Sequence, residues 1–425
     1  MRILLVRPRP HRETIGLQSL MVCEPLELML LSAVLKANGH QVTLLDKILD
    51  ALPLRRAVAR LKPDLVCLTG YISHIGVIKD YAKTIKQADS GIKVAVGGVH
   101  AAVCPEDFAH PAIDLVCRTA DQLYDYLGCL DKTERLPDRN IAARYADRYY
   151  YLFQDKCALI KTSFGCPYNC SFCFCKEVTP YRARPVDDVV EELLTIPQKE
   201  VYIVDDDFLF NRNRLLEFYQ KVRQQGIRKN YLAYGRADFI ADNRDIVVLL
   251  REIGLTAVIV GIEAAGQNEL DAWGKRLSVD HNVRAVRVLR ELGIECYATV
   301  ILGPDWKTQD FNRLFRFIQE NRLVFVNLQP FTPMPGTSYF EQYRDRLLVP
   351  YSQPEKWDMA HLVVRPGGMS VRSYYWHILS LYCKITLHPR SFCYIVRRYG
   401  LGATLKLSVG AARITGQYLQ KIIRG

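Results

Sequence analysis

Cys166-Pro167-Tyr168-Asn169-Cys170-Ser171-Phe172-Cys173 sets three thiols within eight residues, directly after the strand-like run 159–163. That run reads as a β-strand, and five more strands are expected at 200–204, 231–235, 257–262, 296–302 and 324–329. Helices are expected between them, near 186–194, 214–224, 244–253, 283–292 and 311–320. Six strands alternating with five helices predict an incomplete (β/α) barrel, whose active site lies at the C-terminal ends of the strands. The thiols stand on the first such loop. Iron–sulfur clusters need thiolates, and three ligands instead of four leave one iron of a cubane open to a small molecule. Zinc also binds cysteines at such spacing, but no partnered CxxC or His pair completes a tetrahedron nearby. Cys175 is set aside as a fourth ligand, because the Cys173-x-Cys175 spacing is too tight for a second corner of one cubane.

Upstream of the barrel, residues 1–130 carry a second alternation. Strands are expected at 3–6, 42–45, 65–69, 94–96 and 115–117, and helices at 26–37, 55–61, 77–87 and 122–127. This order implies a parallel sheet covered by helices on both faces. Ligands of such sheets bind beyond the carboxyl ends of the strands, here at Thr69-Gly70-Tyr71 and Gly97-Gly98-Val99-His100 among others. Residues 131–150, polar and without period, read as a linker. The barrel is assigned to 151–345, and a basic, mainly helical region to 346–425.

The 425 residues suit two or three domains. No run of about 18 apolar residues occurs, and the N-terminal Met1-Arg2-Ile3-Leu4-Leu5-Val6 is too short for a signal core. A cytoplasmic protein is expected, and its thirteen cysteines are read as thiols or metal ligands. The net charge of +12 is concentrated at one end: no Asp or Glu follows Asp358, whereas ten Lys and Arg do. That imbalance suggests an anionic membrane surface, an acidic substrate or a nucleic acid.

CxxxCxxC with an aromatic residue before the last cysteine is identified as the signature of the radical S-adenosylmethionine (SAM) enzymes. The resemblance implies that Cys166, Cys170 and Cys173 hold a [4Fe–4S] cluster. It further implies that the open iron chelates S-adenosylmethionine, that one electron yields a 5′-deoxyadenosyl radical, and that Phe172 buries the adenine. Other segments resemble the family in order. Val204-Asp205-Asp206-Asp207-Phe208 resembles its acidic strand end, which points to Asp205 and Asp206 as cofactor contacts, with Asp207 alternatively a helix N-cap or part of a divalent-metal site. Arg236-Ala237-Asp238 resembles its R-x-D segment, with Arg236 available for a carboxylate or else spent on a salt bridge to Asp238. Gly261-Ile262-Glu263 resembles its GIES segment with Ala264 in place of serine, and makes Glu263 a contact to ribose or amino group. Gly303-Pro304 resembles its turn against the adenine, and Pro333-Met334-Pro335-Gly336-Thr337 a later one. Read blandly, these Gly/Pro groups are simply turns.

The parallel-sheet domain ahead of the barrel resembles the cobalamin-binding class of these enzymes. Cobalamin contacts are then expected at Thr69, Gly70, Gly97, Gly98 and His100, without the Asp-x-His-x-x-Gly signature of a lower-face histidine. The resemblance implies methylation of an unactivated carbon through the deoxyadenosyl radical and methylcobalamin. An alternative keeps the cofactors but performs a rearrangement, ring contraction or oxidative cyclisation of a lipid or tetrapyrrole. A third reading is a membrane- or nucleic-acid-binding protein with a structural cluster. Nucleic acid is disfavoured for want of aromatic stacking platforms. The expected partners are a small or lipid-like substrate, a reducing donor such as flavodoxin or ferredoxin, and a membrane surface met peripherally by the basic C-terminal region.

Overall fold

The computed structural model describes residues 1–16 and 20–424, which divide into two compact units. The first comprises Met1–Gly16, Val22–Tyr149 and Pro350–Asp358. Its centre is a five-stranded parallel sheet in the order Gln41–Asp46, Arg2–Arg7, Leu65–Thr69, Lys93–Gly97, Leu115–Val116. Leu4, Val66 and Val94 are 0 % exposed and most of their strand neighbours are buried too, which explains why these strands read as unbroken apolar runs rather than alternating ones. Helices Leu54–Leu61 and Ile75–Ala88 bury one apolar face each and leave the other polar. Register pairs Thr69 with Gly97 at the carboxyl edge of the sheet.

The stretch expected as a linker is packed instead. Arg139–Arg148 forms 3₁₀ turns that bury Tyr145, and Tyr149 just beyond is only 1 % exposed. The Tyr149 hydroxyl donates to Asp46 at 3.1 Å, Ser32 donates to Asp138 at 2.6 Å, and Arg139 pairs with Glu24 at 2.7 Å. Its polar residues look unstructured in sequence because their partners lie about a hundred positions upstream. Residues Pro350–Asp358 likewise join this unit: Trp357 is 1 % exposed, and Asp358 accepts from the Ile15 amide at 2.6 Å.

The second unit comprises Leu17–Met21, Tyr150–Val349 and Met359–Gly425. Six parallel strands follow one another in chain order: Ala158–Ile160, Glu200–Ile203, Asn230–Gly235, Leu255–Glu263, Glu295–Leu302 and Phe325–Pro330. The sheet has two edges, so it is an open, partial barrel. Ser163, expected to end the first strand, instead opens Ser163–Phe164, which pairs antiparallel with Arg182–Ala183. Helices Val186–Thr195, Arg212–Gln224, Arg244–Glu252, Val279–Glu291 and Thr308–Glu320 lie between successive strands. Helix Val371–Thr386 follows, anchored by the Tyr374 hydroxyl on the Gly303 carbonyl at 2.8 Å. The last helix, Pro389–Arg424, kinks at Gly400, whose φ is 81°. No helix among the described residues is long and apolar enough to cross a membrane.

Candidate active site

The thiol loop leaves the sheet through Gly165, where φ is +67° and an added Cβ would lie 2.5 Å from the Thr179 carbonyl oxygen. Only glycine lets the loop pass there. A turn then closes between the Cys173 amide and the Cys170 carbonyl at 3.2 Å, drawing the last two thiols of the motif together. Burial pushes the Cys166 thiol up to about 11. A hydrogen bond from the Cys175 thiol holds Cys173 down to about 7. The Arg236 guanidinium lies 3.9 Å from Cys170 Sγ and stacks over Tyr168 at 4.0 Å from the ring centroid.

Arg236 is 9 % exposed. Its fork engages Asp238 at 3.2 and 3.0 Å and also reaches the Lys275 carbonyl at 3.0 Å. The salt bridge open to Arg236 and Asp238 therefore exists, half-buried, and it leaves one guanidinium nitrogen for the thiol loop. Glu263 ends its strand at a register shift with φ +59°, a left-handed conformation that a residue with a Cβ adopts at a cost. Lys275, 6 % exposed, donates to Glu263 Oε1 at 2.6 Å and to the Gly261 carbonyl at 2.8 Å. Glu263 thus has a cation as partner within the chain. Nothing in the local pattern Trp273-Gly274-Lys275-Arg276 marks Lys275, because its role depends on a strand twelve residues earlier.

The three acids of the second strand end separate sharply. Asp205 is 1 % exposed and accepts from the Thr162 amide at 2.6 Å, the Thr162 hydroxyl at 2.5 Å and the Ser163 hydroxyl at 2.7 Å. It fixes the strand end that launches the thiol loop and presents no oxygen to a cofactor. Asp206 is exposed. Asp207 is 4 % exposed, neither of its oxygens meets a well-formed hydrogen-bond donor, and burial pushes its carboxyl up to about 8 against the pull of Arg236 and Lys275. The N-cap of the following helix is Asn211, which accepts from the Arg214 amide at 3.1 Å, and not Asp207.

Phe172 meets Trp273 edge-on at 6.2 Å, and Trp273 stacks on Phe331 at 4.9 Å. With Ile301, Val364, Tyr339 and Tyr343 these rings form one apolar cluster beside the thiol loop. The small side of Gly303 is filled by Trp306, whose indole nitrogen would lie 2.6 Å from an added Cβ. That glycine is required by packing within the chain.

In the first unit, Thr69, Gly70, Gly97 and Gly98 converge at the carboxyl edge of the sheet. Gly98 has φ +101°, and a Cβ there would fall 2.5 Å from Thr69 Oγ1 and 3.1 Å from the Gly70 amide. His100 does not join them. It is 5 % exposed, its Nε2 lies 2.7 Å from Asp107 Oδ2, and Tyr351 also bonds to that carboxylate. The histidine that stands beside Gly70 is His74, whose Cβ would be 2.7 Å from a Gly70 Cβ.

Residues 13–124 match the B12 binding domain, and residues 160–318 the radical SAM superfamily. The chain is 28 % identical over 372 residues to the hopanoid C-3 methylase of Methylococcus capsulatus, an alignment covering 79 % of this chain and 71 % of that one. It is 24 % identical over 416 residues to the anaerobic magnesium-protoporphyrin IX monomethyl ester cyclase of Rubrivivax gelatinosus, covering 87 % and 74 %. In fold it resembles the radical S-adenosylmethionine methyltransferase TsrM from Kitasatospora setae, whose structure has cobalamin and a [4Fe–4S] cluster bound. The TM-score is 0.65 at 17 % identity, over 90 % of each chain.

Proposed function

The chain belongs to the cobalamin-binding radical S-adenosylmethionine enzymes, and from that premise we propose that it transfers a methyl group to an unactivated carbon of a large, mostly apolar ring system. The observation that carries this reading is the presence, in one chain, of a B12-binding domain and a radical SAM domain, in a protein akin to a hopanoid methylase. When bound, the cluster and S-adenosylmethionine supply the oxidant that removes a substrate hydrogen, and cobalamin supplies the methyl group.

The residues present suit those groups. Cys166, Cys170 and Cys173 would hold the cluster, with Arg236 offsetting charge at Cys170. The buried carboxyl group of Asp207, whose oxygens meet no well-formed donor, leaves a place for a polar group from outside the chain, and would be costly to bury without one. Phe172, backed by Trp273 and Phe331, would give an apolar wall to the adenine. Glu263, held by Lys275 through one oxygen, keeps the other for a ribose or amino group. Asp206 remains a contact by its exposure, and Gly303 by its backbone. Thr69, Gly70, Gly97 and Gly98 form an edge without bulk, against which a flat macrocycle could lie close to backbone; His100, held by Asp107, would support that edge rather than reach the corrin. In this scheme the 1–130 region serves cobalamin and 151–345 serves the cluster, with the electron supplied by a flavodoxin- or ferredoxin-like donor.

The test is anaerobic incubation of the reconstituted protein, reductant and methyl-deuterated S-adenosylmethionine with a pentacyclic triterpenoid and, separately, a magnesium tetrapyrrole. Methyl transfer adds one deuterated methyl to one of them. A product altered in its ring system but unlabelled would favour the cyclisation reading, which rests on the likeness to the cyclase. Deoxyadenosine formed without label in any product would contradict methyl transfer.

A further inference from the structure

Helix Pro389–Arg424 turns an apolar stripe toward solvent. Beyond the kink at Gly400, Leu401, Leu405 and Val409 are 64 %, 66 % and 74 % exposed. Their spacing of four places them one above another on one face, and the next position in that row is the exposed Arg413. In a helix packed on a globular core the apolar stripe faces inward; here the inward positions include Thr404 and Tyr418, at 9 % and 2 %. Before the kink, Leu387 and Phe392 are also exposed, at 73 % and 50 %. There Arg390, Arg397 and Arg398 line an open groove on the side of the segment away from Phe392, and Arg398 also pairs with Glu295 at 3.5 Å. Acids are missing altogether: none follows Asp358, against ten Lys and Arg.

We propose that the segment beyond the kink docks on an anionic lipid bilayer, lying in the interfacial plane with Leu401, Leu405 and Val409 at the acyl boundary and Arg413 among the phosphates. The contact is peripheral, since no described helix can span. A second copy of the chain is a poorer occupant, because a symmetric contact would set these basic faces against each other. A nucleic acid would use the charge but leave the stripe in water. The inference goes beyond methyl transfer and does not depend on it.

The experiment is flotation of the full chain, cluster and cobalamin reconstituted, with vesicles of phosphatidylcholine alone or mixed two to one with phosphatidylglycerol. The protein is expected to float with the anionic vesicles only and to release as salt rises. The triple variant Leu401→Ser, Leu405→Ser, Val409→Ser should weaken binding by at least about tenfold, and Arg413→Glu by roughly fivefold or more, with iron content unchanged. Should the triple variant fail to fold, the lipid and salt dependence of the native chain still decides. No flotation, equal flotation on both vesicles, or binding unaffected by the triple variant overturns the proposal. So does a dimer in light scattering that the triple variant abolishes, or tighter retention on RNA than on anionic vesicles.

Discussion

Asp205 and Asp207 stand two positions apart at one strand end and meet opposite surroundings. Asp205 is saturated by Thr162 and Ser163, while Asp207 is buried without such donors. Removing Asp205 would orphan a buried amide and two hydroxyls, so Asp205→Ala is expected to cost about 2–4 kcal/mol in denaturant unfolding of the cofactor-free protein; a change inside about 0.5 kcal/mol would contradict its role. In sequence the three acids are indistinguishable, because the pattern places them at a strand end without saying which one turns inward. The same limit applies to the histidines: His100 follows the glycines and attracted the cobalamin assignment, yet its ring is held by Asp107. At His74, burial, with the charge of Arg7 adding, lowers the imidazole from 6.5 to about 4. Between those values the unfolded chain takes a proton that the folded chain refuses, so stability declines as pH falls from about 6.5 to about 4 and levels below. The slope attributable to this residue reaches up to ~1.4 kcal/mol per pH unit, and His74→Gln should remove it when unfolding midpoints near neutrality and near pH ~5 are compared.

Strand ends and the turns after them carry the site. The sheet edge at Gly97-Gly98 depends on φ +101° and on the close approach of Thr69. Gly98→Ala is therefore expected to destabilise the first unit by roughly 2–4 kcal/mol and to weaken cobalamin uptake, read as the visible absorbance retained after gel filtration; full retention would argue against this edge as the cradle. The strands themselves were legible because a parallel sheet buried on both faces demands continuous apolar runs; their bounds shift by a residue or two, except that the first barrel strand stops three residues early, at Ile160. Ser163 was misplaced because Asp205 holds its hydroxyl where the chain has already left the barrel sheet. The 3₁₀ turns of Arg139–Arg148 were illegible because they have no apolar period of their own and are fixed by Asp46, Asp50 and Glu24.

At the scale of the molecule, two alternating α/β patterns in one chain correspond to two compact units and to two family domains. The thiol triplet was legible because all three ligands lie on one loop. Lys275 and the return of Pro350–Asp358 to the first unit were not, since both join residues brought together only by folding. The central claim, radical chemistry coupled to methyl transfer, is tested most directly by anaerobic turnover of the cluster- and cobalamin-loaded protein with reductant, S-adenosylmethionine and substrate, quantifying 5′-deoxyadenosine and S-adenosylhomocysteine beside Cys170→Ala. The account predicts that both products form in the native protein, in about equal amounts, and that both vanish in the variant. Deoxyadenosine without S-adenosylhomocysteine would contradict methylation, and neither product from a fully loaded protein would contradict the radical chemistry itself.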